Sequence, residues 1–173
     1  MESPSPDLRV DRAVLAESDA ATLAWAVIEP AYNAVSFYDG LDVFAASMSP
    51  LTPGQRTLLA LHWCVAEVSN GGFDQFFLNP TGLLEPDAVE GFRRLGVLEA
   101  ADLVTRARAT FAERPAPVSV DDPSSDEYED AEAFDAYQER LRPLEDRFVA
   151  LVDSELYPNA AAYIREHRNE FVR

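Results

Sequence analysis

The sequence predicts an all-α fold of about seven helices packed around one core. Apolar residues recur at intervals of three and four along most of the chain, which is the period of an amphipathic helix. Start and stop signals for helices separate these runs. Strand and helix patterns do not alternate, and the only strand-like run, Val118-Ser119-Val120, is short. With 173 residues, 47% of them hydrophobic, the chain fits a single domain with a proper core.

The first residues of the chain differ from the rest. Residues 1–17 are rich in proline and charge, which predicts a flexible N-terminal arm before a helical domain of residues 18–173. Ser18 or Asp19 can cap the first helix of that domain. Pro30 predicts an end or a kink in this helix, because proline lacks the backbone N–H that continues it.

The clearest helix start lies in the middle of the chain. After a short predicted helix at 41–48, Thr52-Pro53-Gly54-Gln55 provides a Thr cap, a Pro at the first helical position and a Gln at the third. The following run predicts a long helix that ends at Asn70-Gly71, where a left-handed residue is needed. A short aromatic helix follows, with an inward face formed by Phe73, Phe76 and Phe77.

The second half of the chain predicts four more helices. The first begins at Pro86 and has Gly96 just beyond its end, and the second covers 98–111. A long apolar seam at 134–151 predicts a third helix, which Pro143 must kink or divide. The last helix begins near Pro158.

The charge of the chain restricts its partners. Formal net charge is -17, from 31 acidic and 14 basic residues, and every basic residue is arginine. Direct binding to nucleic acid or to an anionic membrane is excluded, because the phosphates would repel the protein. Basic partners are favoured instead. Genome composition or adaptation to salt is an alternative source of this acidity.

Single residues and the N-terminus add further expectations. Cys64, Trp25 and Trp63 lie in apolar helical patterns and are expected in the core, so Cys64 is a structural thiol rather than a nucleophile. The N-terminus lacks the basic and apolar segments of a secretory signal. No apolar window is long enough to span a bilayer. These features predict a cytoplasmic protein that does not enter a membrane.

The segment from Glu67 to Pro80 is the most specific in the chain. Its Asn70-Gly71-Gly72 run allows the backbone to turn a sharp corner between two helices. Glu67 lies in the last turn before the corner, where a carboxylate opposes the helix dipole. Because a buried carboxylate needs hydrogen-bond donors, we expect Glu67 to accept bonds from the backbone amides near Gly72 and Phe73. This interpretation makes Glu67 a structural clasp.

An enzymatic interpretation of the same segment would use His62, Glu67, Asn70 and Asp74 as an acid–base or metal cluster. His62 and Glu67 are five residues apart and diverge by about 140° around a helix, which argues against shared ligation. No nucleophile lies beside a base. The sequence therefore predicts no catalytic residue, no metal and no cofactor. An enzyme or small-ligand site at the Asn70-Gly71-Gly72 corner is kept as the alternative.

The same segment carries a family resemblance. Glu-Val-x-Asn-Gly-Gly-Phe-x-Gln-Phe-Phe-x-Asn, preceded by a helix like residues 51–59, resembles the DNA mimic protein 19 family, which is classed as a domain of unknown function. The resemblance covers roughly residues 20 to 172. It implies an all-helical fold and, for at least one member, inhibition of a helix-turn-helix transcription regulator by imitating the charge of DNA. The motif is mostly apolar and small, which indicates a structural role; its residues are Glu67, Val68, Asn70, Gly71, Gly72, Phe73, Gln75, Phe76, Phe77 and Asn79.

A DNA mimic would need a dense acidic surface, and the chain has an acidic loop or helix after residue 115. Residues 126–139 include seven carboxylates and no basic residue. As a helix they would span about 21 Å, or one carboxylate per roughly 3 Å, close to the phosphate spacing of about 3.4 Å along one DNA strand. A solvated helix face or a disordered acidic loop is the alternative. The predicted partner-binding residues are Asp121, Asp122, Asp126, Glu127, Glu129, Asp130, Glu132, Asp135 and Glu139.

These observations predict an acidic binding protein that is not an enzyme. Its expected partner is a basic or DNA-binding protein, which it would engage as a DNA mimic. A homodimer that uses the apolar seam or the aromatic faces is a further possibility.

Overall fold

The fold is built from α-helices, as the sequence predicts. The computed structural model describes residues 6–117, 128 and 130–173. Within these residues there are seven α-helices and, in place of strands, two isolated bridges, Val10 with Val172 and Pro117 with Tyr128. The helices are α1 (Ala20–Ala34), α2 (Leu41–Met48), α3 (Pro53–Leu78), α4 (Glu85–Arg94), α5 (Leu98–Phe111), α6 (Ala131–Leu151) and α7 (Tyr157–Glu166). A 3-10 turn, Pro80–Leu84, follows α3, and a π-helical turn, Val152–Leu156, joins α6 to α7.

Helix α3 lies at the centre and contacts α1, α4, α5 and α6. Its start is the predicted capping box: the Thr52 side chain accepts the Gln55 backbone N–H, and the Gln55 side chain accepts the Thr52 N–H. Both hydrogen bonds satisfy backbone N–H groups that a helix start leaves unpaired, so they define where α3 begins. Buried side chains from all seven helices join one hydrophobic cluster.

Both internal prolines lie inside helices that continue through them. Pro30 is within α1 and Pro143 is within α6, so neither proline ends or divides its helix, whereas a kink at either position stays a prediction. Each proline removes one backbone hydrogen bond. Packing offsets that loss, because Leu141, Leu144 and Phe148 are buried along the inner face of α6.

The N-terminal segment packs against the C-terminus. The Val10 N–H donates to the Phe171 carbonyl over 2.8 Å, and the Arg173 N–H donates to the Val10 carbonyl over 3.0 Å. The Gln55 side chain donates to the Leu8 carbonyl over 2.8 Å. These contacts attach residues 8–10 to the helical body, whereas a domain boundary at residue 17 stays a prediction.

Candidate functional site

The Asn-Gly-Gly segment makes a corner inside α3. Gly71 (φ −147°, ψ 22°) and Gly72 (φ 77°, ψ −177°) leave helical geometry, and helical residues lie on both sides of them. The combination at Gly72 is open almost only to glycine. The sequence predicts the left-handed residue at Asn70-Gly71. The positive φ lies one position later, at Gly72.

Glu67 clasps this corner, but its donors differ from those predicted. The carboxylate is 6% exposed. One oxygen accepts the Gln75 amide over 2.6 Å and the Asn79 amide over 2.8 Å, and the other accepts the Thr81 hydroxyl over 2.7 Å. The predicted bonds from the backbone amides near Gly72 and Phe73 are therefore wrong. All three donors are side chains that follow the corner, so Glu67 joins the two halves of α3 to the turn after it.

The Phe73 backbone amide, which was predicted to bind Glu67, binds a residue of α6 instead. The Phe73 N–H donates to Glu145 over 2.8 Å. Phe73 lies directly after the corner, where the first turn of a helix leaves N–H groups without helical partners and attracts negative charge. Glu145 therefore serves as a cap supplied by another helix. No sequence signal could identify it, because the two residues are 72 positions apart.

The ionisation of Glu145 provides a pH-dependent test of this cap. Burial raises the pKa of Glu145, and this outweighs the Phe73 N–H, which lowers it. A carboxyl group with a raised pKa binds extra protons when folded, so its contribution to stability falls as pH rises from about 4.3 through the folded-state pKa. Glu145→Gln cannot ionise but keeps an oxygen for the Phe73 N–H. We therefore expect this variant to gain stability relative to the wild type across that pH window.

Urea unfolding at a series of pH values measures this difference. Glu139→Gln, at an exposed position of the same helix, is the matched control. A difference between wild type and Glu145→Gln that stays constant with pH, or that shrinks as pH rises, would contradict the assignment.

A second polar cluster holds the short half of α3 against α6 and against the segment that follows α5. The Arg114 Nε donates to Asp74 over 2.8 Å, and both side chains are about nine-tenths buried, at 10% and 12% exposure. The Tyr137 hydroxyl donates to the same carboxylate, and Arg114 also donates to the Tyr128 hydroxyl. Burial raises the pKa of Tyr137, so the phenol stays a donor. Sequence reasoning missed this cluster, because Asp74 and Arg114 are 40 positions apart.

The remaining motif residues pack or brace the corner. Phe73 and Phe76 are fully buried, and the Phe73 ring lies 5.3 Å from that of Phe148 in α6. Phe77 is half-buried beside Phe111, with ring centroids 5.1 Å apart. The exposed Asn70 side chain donates to the Gln75 amide oxygen over 3.2 Å.

A cavity of about 500 Å³ opens beside the corner, lined by Gly71, Asp74, Gln75, Asn79 and Arg114 among others. Gln75 and Asn79 already donate to Glu67, and Arg114 already binds Asp74. These four side chains of the cavity wall, Gln75, Asn79, Arg114 and Asp74, are therefore already hydrogen-bonded within the protein. An enzyme or small-ligand site here stays a prediction, as does the homodimer.

The predicted acidic surface is partly within the described residues. Asp130 is exposed and caps α6, accepting the Ala133 N–H over 2.9 Å. Glu132, Asp135 and Glu139 are exposed, and their spacing of three and four places them on one face of α6. The other predicted residues lie outside the described part of the chain: Asp121, Asp122, Asp126, Glu127 and Glu129.

Asp146 extends this face, although sequence reasoning did not include it. It is exposed and lies seven residues after Glu139, which is two helical turns. We call Glu132, Asp135, Glu139 and Asp146 the α6 acidic face; it spans about 21 Å. Two arginines beside it are neutralised, since Arg140 binds Glu113 and Arg147 binds Glu99, each over 2.6 Å.

The described residues contain neither a metal-binding cluster nor a membrane-spanning helix. No group of three or more His, Cys, Asp or Glu side chains among them could hold a metal ion. No helix in that part of the chain is long and apolar enough to cross a membrane. Cys64 is fully buried, as predicted, and burial raises the pKa of its thiol.

Comparisons with known proteins provide one match. The family model described as "DMP19-like protein" matches residues 49–167, a range that includes the whole helix corner and begins later than the resemblance predicted. Searches of curated proteins and of solved structures found no match.

Proposed function

Since the chain belongs to the DMP19-like protein family, we propose that it is an acidic, non-enzymatic binding protein that occupies the DNA-binding surface of a basic protein. The family is not known as a family of enzymes. The DNA-mimic form of the proposal rests on the family resemblance together with a net charge of -17. A partner that binds DNA presents a positive surface, to which such a charge is attracted.

The observation that carries the proposal is the α6 acidic face. Its four carboxylates are exposed on one side of a helix, and the nearby Arg140 and Arg147 are already paired with other carboxylates. Arg142 is also exposed and lies three residues after Glu139 and four before Asp146, so the face presents four negative charges and one positive charge and stays negative overall. A positively charged groove on a partner would meet several carboxylates at once, which favours fast, salt-sensitive association.

Charge density sets a limit on how far α6 alone imitates DNA. Its face carries about one carboxylate per 7 Å of helix axis, whereas one DNA strand carries a phosphate per about 3.4 Å. The face alone is therefore about half as dense as one strand. The predicted carboxylates from Asp121 to Glu129 remain part of the proposal for this reason.

A charge-reversal variant tests the proposal. Wild type and a Glu132→Lys, Asp135→Lys, Glu139→Lys, Asp146→Lys variant would be immobilised and exposed to host cell extract at low salt. A captured protein would be purified and its affinity for both chains measured. We expect the variant to bind about 100-fold more weakly, because four exposed charge contacts of about 0.7 kcal/mol each amount to roughly 2.7 kcal/mol.

The matched control places an equal change of charge elsewhere on the molecule. Its substitutions replace exposed carboxylates of α1, α2 and α4 with lysine: Glu29→Lys, Asp42→Lys, Asp87→Lys and Glu90→Lys. The control should retain most of the affinity, and duplex DNA should compete with the wild type for the captured protein. If both variants lose affinity equally, the loss is caused by the change in net charge and not by the α6 acidic face. Failure of duplex DNA to compete would contradict occupation of a DNA-binding surface.

A further inference from the structure

A second cavity, unrelated to the corner or to α6, lies between α1, α3 and the start of α7. It has a volume of about 250 Å³. Its walls are mainly aliphatic and aromatic side chains, including Trp25 and Ile28 of α1, Leu58 and His62 of α3, and Tyr157 of α7. A cavity with apolar walls and a few polar atoms is the usual form of a small-molecule site.

Trp25 and His62, which line this cavity, are held in place by contacts with each other and with Tyr32, which does not line it. The Trp25 ring lies 5.2 Å from both His62 and Tyr32, and Tyr32 lies 5.5 Å from His62. These separations are typical of favourable aromatic pairs. The three rings hold one another in place, so a ligand would not have to order them when it binds.

The helical pattern predicts Trp25 in the core, and this prediction is wrong. Trp25 lies at the edge of the cavity. Its side chain is 38% exposed. An exposed indole leaves a large apolar surface in water, which a ligand beside it would cover. The exposed position therefore has a physical explanation if the cavity is occupied in the functional protein.

The cavity carries no formal charge, which is notable in a chain of net charge -17. None of the described residues that line it is Asp, Glu or Arg. Burial lowers the pKa of His62, which keeps the imidazole neutral. The ring nitrogens of His62 hydrogen-bond no other residue in the described part of the chain, so they are free for one polar group of a ligand.

We propose that this cavity binds one small, neutral aromatic molecule, with its ring among the apolar walls and one polar edge hydrogen-bonded to His62. The volume sets its size. A cavity of about 150 Å³ accommodates benzene, so about 250 Å³ corresponds to a molecule of roughly ten non-hydrogen atoms. A charged ligand would lose its hydration here without gaining an ion pair.

Indole is the probe of matching size and chemistry, and calorimetric titration of the full chain measures its binding. We expect saturable binding of one indole per chain. Indole-3-acetate, its anionic analogue, and tryptamine, its cationic analogue, should each bind at least about tenfold more weakly. Tryptamine is the stricter comparison, because the net charge of the protein attracts cations. Equal or tighter binding of tryptamine would overturn the proposal, since general electrostatics would then explain the association.

Two variants locate the binding. Ala24→Phe fills the cavity, and Trp25→Ala removes its exposed wall; both should reduce indole affinity by about tenfold or more. Ala109→Phe, on the exposed side of α5, is the matched control and should bind indole as the wild type does. If Ala24→Phe does not fold, Trp25→Ala alone decides the result. Unchanged binding in Trp25→Ala, or absence of indole binding to the wild type, would overturn the proposal. Concentration-dependent dimerisation lost in Trp25→Ala would overturn it as well, because a second copy would then be the occupant.

Discussion

Glu67→Ala is expected to lower the free energy of unfolding by about 4 kcal/mol, because it leaves the buried Thr81 hydroxyl and the half-buried Gln75 and Asn79 amides without an acceptor, and each such group costs about 1–3 kcal/mol. The Gln75, Asn79 and Thr81 side chains all donate to this carboxylate. Gln75 and Asn79 also line the cavity beside the corner, so water can reach these two donors and the total lies toward the lower end of that range. Urea unfolding followed by far-ultraviolet circular dichroism measures the loss.

Two comparisons make the Glu67 prediction specific. Glu29→Ala removes an exposed carboxylate of α1 and should change stability by less than about 0.5 kcal/mol. Glu67→Gln preserves the volume but places an amide donor among other donors, so an intermediate loss of about 2 kcal/mol is expected. A loss below about 1 kcal/mol for Glu67→Ala would mean that the three donors find other partners.

Gly72→Ala is expected to cost about 3 kcal/mol, from two separate causes. The backbone of Gly72 has φ 77° and ψ −177°, and such geometry costs a residue other than glycine about 1–3 kcal/mol. An added methyl group would also clash with the Glu145 carboxylate, which caps Phe73. Relief of the clash requires the carboxylate to move and weaken its bond to the Phe73 N–H.

Gly96→Ala shows what a methyl group costs at a positive φ where it meets no clash. Gly96 has φ 78°, close to the value at Gly72, but a methyl group there would meet no atom within 4 Å. Its loss should be about 1 kcal/mol, from backbone strain alone. Thermal or urea unfolding of both variants gives the comparison. Equal losses would show that the Glu145 contact can relax freely, contrary to its role as a cap that holds the corner.

The local features of this chain could be predicted from its sequence. The capping box at Thr52 and Gln55, the glycine after α4 and the bounds of α5 all depend on residues a few positions apart. Hydrogen bonds at helix ends and the helical period act over that same short range. The family was also predictable, from a continuous segment around the corner that lies within the range matched by the family model.

The partners of buried polar groups could not be predicted in this way. Glu67 was expected to bind nearby backbone amides, yet it binds side chains 8 to 14 positions later. Phe73 was not expected to bind Glu145, nor Asp74 to bind Arg114. Each choice depends on which helices lie side by side, and sequence periodicity indicates that a residue faces inward without indicating what it faces.

The sequence by itself determined that the chain is helical, strongly acidic and turned at Asn70-Gly71-Gly72, because composition, period and glycine freedom are local properties. Only the tertiary structure decided that Glu145 caps the corner, that Trp25 borders an uncharged cavity and that Asp146 extends the α6 acidic face. The physical reason is the same in each case. Packing brings together residues that are distant in the chain, and burial then sets the hydrogen bonds and the ionisation that those residues can have.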